Sequence, residues 1–431
     1  MSSLPNGATI VDLARSVLES PRFASATTVA TIGTAVGAEL LVRLIGWAGL
    51  VAMVTTLVLL MFGMALVRRS EFRWVGLLPV SLLVFVGWAC LSILWSPYRW
   101  ATATGLAYLL AFTALGIGIA LVRDSIQIVR AFGDVFRAAL VVSIGLEIFA
   151  GVLIDSPIPF LDIQGDLDAL GPIQGIMGSR NQLGLLALIA VITFGTELRT
   201  RSVSRGLGIG SLVLGVAGVL LSRSPVISAV FVVVAMAVVA LYLLRRIPAE
   251  RRTIWQLALL AAAVVLAIVA WVLRAPIIAL FSANSELSYR LTLWRGILSL
   301  IAQNPLEGWG WVGYWRPDIQ PFPLFAVAGE RDPTSAVNAF IDVWFQLGFV
   351  GLAIFVGLVL LTFTRSWLLA GRRRSTVFAW PALVLVALIV TSLAESSMLV
   401  EYGWLMFVVC TVKAAQELSW RRAFAGGDPL G

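Results

Sequence analysis

Long apolar stretches separated by short polar ones repeat along the whole chain, and this pattern predicts a bundle of membrane-spanning helices. An α-helix needs about 20 apolar residues to cross a bilayer. Cut at charge clusters and Gly/Pro turns, the chain holds about twelve runs of this kind. They lie near residues 25–42, 47–67, 76–95, 102–122, 134–154, 182–197, 207–222, 225–244, 254–273, 337–363, 378–394 and 399–415. We therefore expect an all-α, polytopic integral membrane protein in which residues 1–431 form one transmembrane domain.

The composition supports this class and excludes several others. Of the 431 residues, 60% are hydrophobic and 13% are charged, whereas globular proteins average about 25% charged residues. A water-soluble, disordered or disulfide-rich secreted chain is therefore excluded. The chain has no histidine and only two cysteines, which excludes a zinc site of the usual His/Cys kind and a Ser-His-Asp triad.

The basic residues predict the orientation of the bundle. If the N-terminus is cytoplasmic and twelve spans follow, 22 of the 31 lysines and arginines fall on the inner side. This bias obeys the positive-inside rule with both termini cytoplasmic. Residues 1–24 then form a short cytoplasmic preface and residues 416–431 a cytoplasmic tail. The net charge of +8 is thus a topology signal, and no nucleic-acid partner is expected. The arginines left outside are Arg43, Arg99, Arg180, Arg223, Arg274, Arg290, Arg295, Arg316 and Arg331.

Two outer connections are long enough to carry function. The smaller one, residues 155–181, contains four aspartates, and the larger one, residues 274–336, lies between spans 9 and 10. A connection as long as the second is expected to fold over the membrane face. The aspartates are Asp155, Asp162, Asp166 and Asp168. Their spacing matches no cation-binding loop, so we expect a solvated loop, no metal site and no cofactor.

The outer arginines suggest anion binding. Arg223 stands in a two- or three-residue break between two apolar spans, where a charge is costly unless it has an anionic partner or a wet cavity. The alternative is a loop residue that extends to the membrane surface. Arg290 and Trp294 are four residues apart and share a face of an amphipathic helix near residues 288–301, while Arg295 lies about 140° round from Arg290.

An aromatic, glycine-rich loop follows this helix. Asn304-Pro305 ends the helix, and Trp309 and Trp311 stand among the glycines after it. One interpretation is an interfacial aromatic belt. The other is a site in which guanidinium groups hold a diphosphate bidentately while indole faces stack on sugar rings.

Taken in order, these segments resemble the O-antigen ligase and O-antigen polymerase superfamily. The resemblance runs over about residues 175–363 and extends to the whole chain through the span count. Its motifs are Gly178-Ser179-Arg180-Asn181-Gln182-Leu183-Gly184, Ser222-Arg223, Arg290 with Trp294, Asn304-Pro305-Leu306-Glu307-Gly308-Trp309-Gly310, Asn338-Ala339-Phe340 and Gly348-Phe349-Val350-Gly351.

The resemblance implies a metal-independent glycosyltransferase on the outer face of the cytoplasmic membrane. Such an enzyme takes a glycan from a polyprenyl diphosphate carrier and joins it to an acceptor hydroxyl on a glycolipid or a growing glycan. The two essential arginines of the family map onto Arg223 and Arg290. Arg180 and Arg295 are further candidates for substrate binding, together with Trp294, Trp309 and Trp311.

The chain departs from the family on the acceptor side. The family usually has a histidine directly before the position of Asn338, and here that residue is Val337. Asn338 and Asp342 remain candidates for the acceptor side, and the other carboxylates within reach are Asp332, Glu395 and Glu401. Alternatively the reaction needs no strong base, or the chain is an inactive paralogue in an envelope assembly complex. A transporter or flippase of lipid-linked glycans is the competing class, although no paired Gly/Pro-interrupted segments stand in corresponding halves.

Overall fold

The computed structural model describes residues 10–69, 79–167, 171–273, 284–325, 333–373 and 375–417. In these ranges the chain folds into α-helices joined by turns and contains no β-sheet, which confirms the all-α prediction. The helices are α1 (Ile10–Glu19), α2 (Pro21–Val36), α3 (Ala38–Val67), α4 (Val80–Leu91), α5 (Arg99–Val122), α6 (Ser125–Ile148), α7 (Arg180–Thr200), α8 (Arg205–Ser222), α9 (Pro225–Arg246), α10 (Ala249–Val272), α11 (Asn284–Ile301), α12 (Ala339–Arg372), α13 (Ala379–Thr391) and α14 (Glu401–Glu417).

Eight helices in the described ranges are long and apolar enough to cross a membrane, which supports a polytopic membrane protein. They are α3, α5, α6 with its extension to Ile154, α7, α8, α9, α10 and α12. The helices α4 and α13 are apolar but shorter. Eleven of the twelve apolar runs lie mainly within one helix, whereas the run 25–42 is divided between α2 and α3 at Gly37. Twelve spans and cytoplasmic termini remain predictions, and most of the 416–431 tail lies outside the described residues.

The helices differ in how far they are enclosed by their neighbours. Almost every residue from Leu405 to Val412 in α14 is buried, and so is the run from Leu183 to Ala190 in α7. By contrast, α10 buries none of its most apolar 18-residue window. An apolar helix enclosed on all sides belongs to the core of a large bundle, whereas apolar side chains facing outward need lipid around them. The core therefore sits around α7, α13 and α14, and α10 lies at the periphery.

The two ends of the bundle carry different chemistry. At one end, which we call the basic end, Lys413 Nζ donates to the Arg123 carbonyl at 2.7 Å. At the same end Arg245 Nε donates to the Ala370 carbonyl at 2.8 Å. The other end, which we call the loop end, carries residues 155–167 and 171–179 and the described residues between α10 and α12, 284–325 and 333–338. The positive-inside rule predicts that the basic end faces the cytoplasm.

Helix α12 is broken at Gly348 (φ 67°, ψ −173°), and a loop replaces the helical hydrogen bonds lost there. The amides of Trp309 and Gly310 donate to the carbonyls of residues 345 and 346, at 3.1 and 2.8 Å. In return, the amides of Phe349 and Val350 donate to the carbonyls of residues 305 and 306. Unpaired backbone groups in an apolar environment are costly. The loop that follows α11 is therefore fastened to the break in α12.

Two glycines make this fastening sterically possible. Gly308 has φ 72° and Gly310 has φ 97°, conformations that side chains disfavour. A Cβ atom at Gly308 would collide with the Gly348 amide nitrogen, and one at Gly310 would lie 2.6 Å from Ser96 Cβ. The glycine-rich motif therefore allows two stretches of backbone to approach closely.

A buried carboxylate anchors each long connection at the loop end. Glu147 on α6 is 2% exposed and accepts hydrogen bonds from the amides of Gln174 and Gly175, at 3.0 and 2.8 Å. Asp342 on α12 is 1% exposed and accepts from Trp315 Nε1 at 3.0 Å, Gln346 Nε2 at 2.8 Å and the Ala336 amide at 3.2 Å. Buried carboxylates are stable in proteins when hydrogen-bonded in this way. Each carboxylate thus holds loop groups in place.

Candidate functional site

A chain of polar contacts joins four separate segments at the loop end. Arg290 Nη2 on α11 lies 3.0 Å from Glu395 Oε1, in the turn between α13 and α14. The same oxygen accepts from Asn181 Nδ2 at 2.5 Å, and Asn181 Oδ1 accepts from Ser224 Oγ at 2.6 Å. We call these four residues the Arg290 network. It brings together two of the motifs that carry the family resemblance, the residue directly after the Ser222-Arg223 motif, and one carboxylate from the last turn.

The network lies at the N-termini of two helices. Ser179 caps α7 by accepting from the Gln182 amide at 3.2 Å, and Ser224 caps α9 by accepting from the Ile227 amide at 3.1 Å. A helix N-terminus carries partial positive charge and favours anions. Since Asn181 and Ser224 stand in these first turns, both dipoles reinforce the positive charge of Arg290.

Two further arginines flank the network along the chain. Arg180 directly precedes Asn181 and is half-buried. Arg223 directly precedes Ser224, is exposed and ends α8 in a left-handed conformation with φ 45°. A non-glycine residue in this conformation is uncommon and marks a tight turn. The segments that carry Arg180, Arg223 and Arg290 therefore meet around Glu395.

The ion pair at the centre is shielded from solvent. The side chain of Arg290 is 10% exposed and that of Glu395 is 16% exposed. Charges this enclosed are taken out of bulk water and depend on the protein groups around them for stabilisation. The network is therefore both a structural joint between helices and a set of charges already desolvated for binding.

Asn338 closes the site beside the network. Its Oδ1 accepts from the Phe340 and Ile341 amides at 3.0 and 3.1 Å, which caps α12. Its Nδ2 donates to the Leu393 carbonyl at 2.9 Å, two residues before Glu395. Sequence reasoning proposed Asn338 for the acceptor side. In the structure its oxygen caps α12, and its amide group fixes the start of α12 against the turn carrying Glu395.

Asp342 is too deeply buried to contact an acceptor hydroxyl directly in this structure. Its three hydrogen-bond donors surround the carboxylate, and 1% of the residue is exposed. A proton acceptor for a substrate hydroxyl must lie within about 2.6–3.2 Å of it. Among the acidic candidates, Asp332 lies outside the described residues.

The position before Asn338 has an unusual backbone. Val337 has φ 49°, in the left-handed region, and its half-buried side chain packs against the hydrophobic cluster that contains Trp315 and Ala336. A β-branched residue with positive φ is a genuine outlier, and such strain clusters at functional sites. Trp294 supports this segment by donating its indole N–H to the Ala336 carbonyl at 2.9 Å.

The other aromatic and basic candidates are dispersed. Arg295 is exposed, whereas Arg290 on the same helix is 8% exposed, in agreement with the angle expected between them. Trp309 is half-buried and donates to the Leu300 carbonyl at 3.1 Å. Trp311 is 1% exposed and packs edge-on against Phe85, so its ring face is covered in this structure.

A second polar cluster surrounds Glu401, the first residue of α14. The Tyr108 hydroxyl donates to Glu401 Oε1 at 3.1 Å, and Trp47 packs edge-on against both Tyr108 and Tyr314. Burial raises the pKa of the Tyr314 hydroxyl well above its usual value, and the charge of Glu401 raises it further. Tyr402, next to Glu401, donates its hydroxyl to Oε1 of Gln182, the neighbour of Asn181, at 3.1 Å.

Arg43 on α3 forms an ion pair with the aspartate-rich connection that begins at residue 155. Arg43 Nη2 lies 2.8 Å from Glu39 and 3.4 Å from Asp162. Asp168 lies outside the described residues. Among the described residues, no group of three or more metal-ligating side chains of the His, Cys, Asp or Glu types could hold a metal ion.

From the sequence, Arg290 was a proposed site residue and Glu395 one of the acceptor-side carboxylates, but their contact was not predicted, and Asn181 and Ser224 were given no role. Asn181 and Ser224 each follow a singled-out arginine, so the neighbouring motif residue was the available signal. Glu395 had no signal beyond its place in the last outer turn, because 105 positions separate it from Arg290. Only helix packing brings the two together.

Comparison with known proteins agrees with the sequence motifs. A family model described as O-antigen ligase matches residues 210–356, which include Arg223, Arg290, Asn338 and Asp342. The resemblance to the O-antigen ligase and polymerase superfamily is thereby confirmed, and a membrane glycosyltransferase-like role in polysaccharide assembly is supported. No curated protein matches the chain.

Proposed function

From the family match and the Arg290 network, we propose that this chain transfers a glycan from a polyprenyl diphosphate carrier to a hydroxyl of a glycan or glycolipid acceptor. The observation that carries the proposal is the convergence of Arg290, Asn181 and Ser224 on one carboxylate at the loop end. The loop end holds the minority of the basic residues, so the positive-inside rule favours a site on the outer face of the cytoplasmic membrane. The enzyme is a ligase or a polymerase.

Arg290 and Arg223 bind the diphosphate in this proposal, with Arg180 beside them. Departure of a polyprenyl diphosphate leaves negative charge on the phosphate oxygens. Preorganised guanidinium groups and two helix N-termini in a shielded site stabilise that charge without a metal ion. Desolvation of Arg290 strengthens the effect, because electrostatic interactions grow as water is excluded.

Asn338 and the half-buried indoles border the path of the sugars. Asn338 holds the start of α12 beside the turn that carries Glu395, and Trp294 fixes the backbone at Ala336. Trp294 and Trp309 remain the candidates for contact with sugar rings because part of each side chain is exposed. Asp342 serves this side of the site by fixing the loop.

The helix breaks weigh against the transporter alternative. Helices α3 and α12 are both broken, at Gly46 and Gly348, with nearly the same backbone angles. A transporter is expected to place such breaks near the membrane midplane. Here each break follows only eight or nine residues of helix. The part of α12 after Gly348 is still about 36 Å long at 1.5 Å per residue, enough to cross the bilayer alone.

Substitution of Arg290 tests the proposal. Arg290→Lys keeps the charge and loses the bidentate fork, so we expect transfer to fall on the order of 10²-fold. The assay supplies purified protein in liposomes with carrier-linked glycan extracted from a deletion strain and measures released polyprenyl diphosphate. Arg316→Ala is the matched control, because Arg316 is exposed and pairs only locally with Asp318. Retained transfer in both Arg290→Lys and Arg223→Ala refutes the diphosphate role.

Carrier-linked glycans in the deletion strain separate the remaining alternatives. Accumulated single repeat units identify a polymerase, because chains then fail to grow. Accumulated long chains identify a ligase, because finished chains then stay on the carrier. An unchanged glycan pool identifies the inactive paralogue and refutes enzymatic transfer.

A further inference from the structure

The described part of the chain offers three carboxylates as the proton acceptor that the family histidine would otherwise provide. Asp342 is enclosed by its three donors. Glu401 is engaged by Tyr108 in the second cluster. Glu395 lies 3.0 Å from Arg290 Nη2, and its side chain is 16% exposed. Glu395 therefore contacts Arg290, the residue proposed to bind the diphosphate, and is accessible to a bound substrate.

We infer that Glu395 is the catalytic base of the proposed transfer, and this inference rests on that proposed function. The acceptor hydroxyl oxygen forms a bond to the anomeric carbon of the donor sugar, and its proton moves to the Glu395 carboxylate. The bond between the anomeric carbon and the diphosphate oxygen breaks, and its electron pair leaves with polyprenyl diphosphate. The proton then passes from Glu395 to water. In glycosidases that invert the anomeric configuration, a carboxylate acts as general base in the same way, on the attacking water.

The geometry couples this step to donor binding. In the structure, Glu395 neutralises Arg290 and is oriented by Asn181. A diphosphate that binds Arg290 competes with Glu395 for the same guanidinium group. Glu395 then keeps Asn181 as a partner and gains a negative neighbour, and a negative neighbour makes a carboxylate a stronger proton acceptor. The base is therefore activated only when the donor is in place.

A purely structural role for Glu395 makes a different prediction. If the carboxylate only braces Arg290 and Asn181, removing its charge disorders both residues and weakens donor binding and turnover together. If it is a base that competes with the diphosphate, removing its charge slows turnover while diphosphate binding tightens. The two roles thus differ in the direction of one measurable quantity.

Glu395→Gln is the decisive variant because the amide keeps an oxygen for Arg290 and Asn181 but cannot accept the proton. Inorganic pyrophosphate is the binding probe, measured by the shift in thermal unfolding of the purified full-length protein. We expect pyrophosphate to bind several-fold more tightly than to the wild type, and kcat to fall by 10²-fold or more, the order of magnitude typical of a lost base. Asp318→Asn is the matched control, since Asp318 is an exposed loop carboxylate.

The pH profile supplies an independent readout. The wild-type kcat falls on the acid side as Glu395 takes up a proton, and the Gln variant lacks this acid limb. Glu395→Asp keeps a carboxylate, so it retains the limb at a lower kcat even if the Gln variant does not fold. Weakened pyrophosphate binding in Glu395→Gln, a kcat close to wild type, or loss of the acid limb in Glu395→Asp overturns the inference.

Failure of this inference is distinguishable from failure of the proposed function. If Arg290→Lys abolishes transfer while Glu395→Gln leaves kcat and its pH dependence unchanged, the diphosphate site stands and the base is wrong. If both Arg290→Lys and Arg223→Ala transfer glycan at the wild-type rate, the proposed function fails first, and Glu395 loses its role with it.

Discussion

Replacement of Asp342 separates a structural from a chemical role for this carboxylate. Its Oδ1 accepts from the Trp315 indole and the Gln346 amide, and its Oδ2 accepts from the Ala336 amide. In Asp342→Asn the side-chain oxygen can keep the first two bonds, while its new amide group faces the Ala336 N–H, donor against donor. One buried unsatisfied donor costs about 1–3 kcal/mol.

Asp342→Ala removes the acceptor of the Trp315 indole and of the Ala336 amide, whereas Gln346 Nε2 still reaches the Gly313 carbonyl at 3.4 Å. The penalty for an unsatisfied donor then applies at least twice, which amounts to about 2–6 kcal/mol before neighbouring groups relax. We therefore expect the alanine variant to be much less stable than the asparagine variant. Trp315→Phe removes a single donor and should cost less in the Asp342→Ala background than in the wild type, which a double-mutant cycle measures.

The assay is thermal unfolding of the purified protein in detergent, combined with limited proteolysis of the segment between α11 and α12. Loss of the carboxylate should expose this segment to protease before the helices unfold, because Asp342 ties it to α12. Activity should fall in proportion to the opened fraction. An Asp342→Asn variant with wild-type stability, an intact loop and no activity would refute the structural reasoning and restore Asp342 as a catalytic group.

Three further predictions use other parts of the structure. Glu147→Ala should leave two loop amides unpaired and make residues 171–179 protease-sensitive at a cost of about 2–6 kcal/mol; an unchanged cleavage pattern contradicts this. Arg137→Ala should destabilise the protein by about 3–5 kcal/mol, because it leaves Glu197 buried and unpaired, while replacing both by methionine should recover most of the loss in thermal unfolding. Single cysteines at Arg316 and Arg373, in a background without native cysteines, should react with an impermeant thiol reagent from outside and inside respectively, and the reverse result refutes the predicted topology.

The two buried carboxylates illustrate a general feature of the loop end. Glu147 and Asp342 come from different helices, yet both accept backbone amides from a connection that leads into a motif. The Glu147 turn precedes Ser179 and Asn181, and the Asp342 turn precedes Asn338. Fixed backbone at these points preorganises the residues that follow, and preorganisation is what stabilises developing charge most effectively. Their contribution to function is therefore made through positioning.

The sequence by itself determined the class of the protein and the segments that matter. Apolar runs of membrane length depend on local composition, so the predicted runs lie mainly on helices, although the run 25–42 spans the junction of α2 and α3. Helix geometry is local as well, and it predicted that Arg290 and Arg295 point in different directions because they are five residues apart. The motif order also sufficed for the family resemblance, which the match over residues 210–356 confirms.

Only the tertiary structure decided how the polar residues are used. The sequence alone assigns no role to Glu147, and its contacts with the amides of Gln174 and Gly175 identify a loop anchor. Asp342 and Glu395 are both carboxylates near an outer turn, yet one is enclosed by donors and the other meets Arg290. These differences arise from packing between helices far apart in the chain. Periodicity predicts which face of a helix is apolar, whereas the partner across an interface depends on how all the helices assemble.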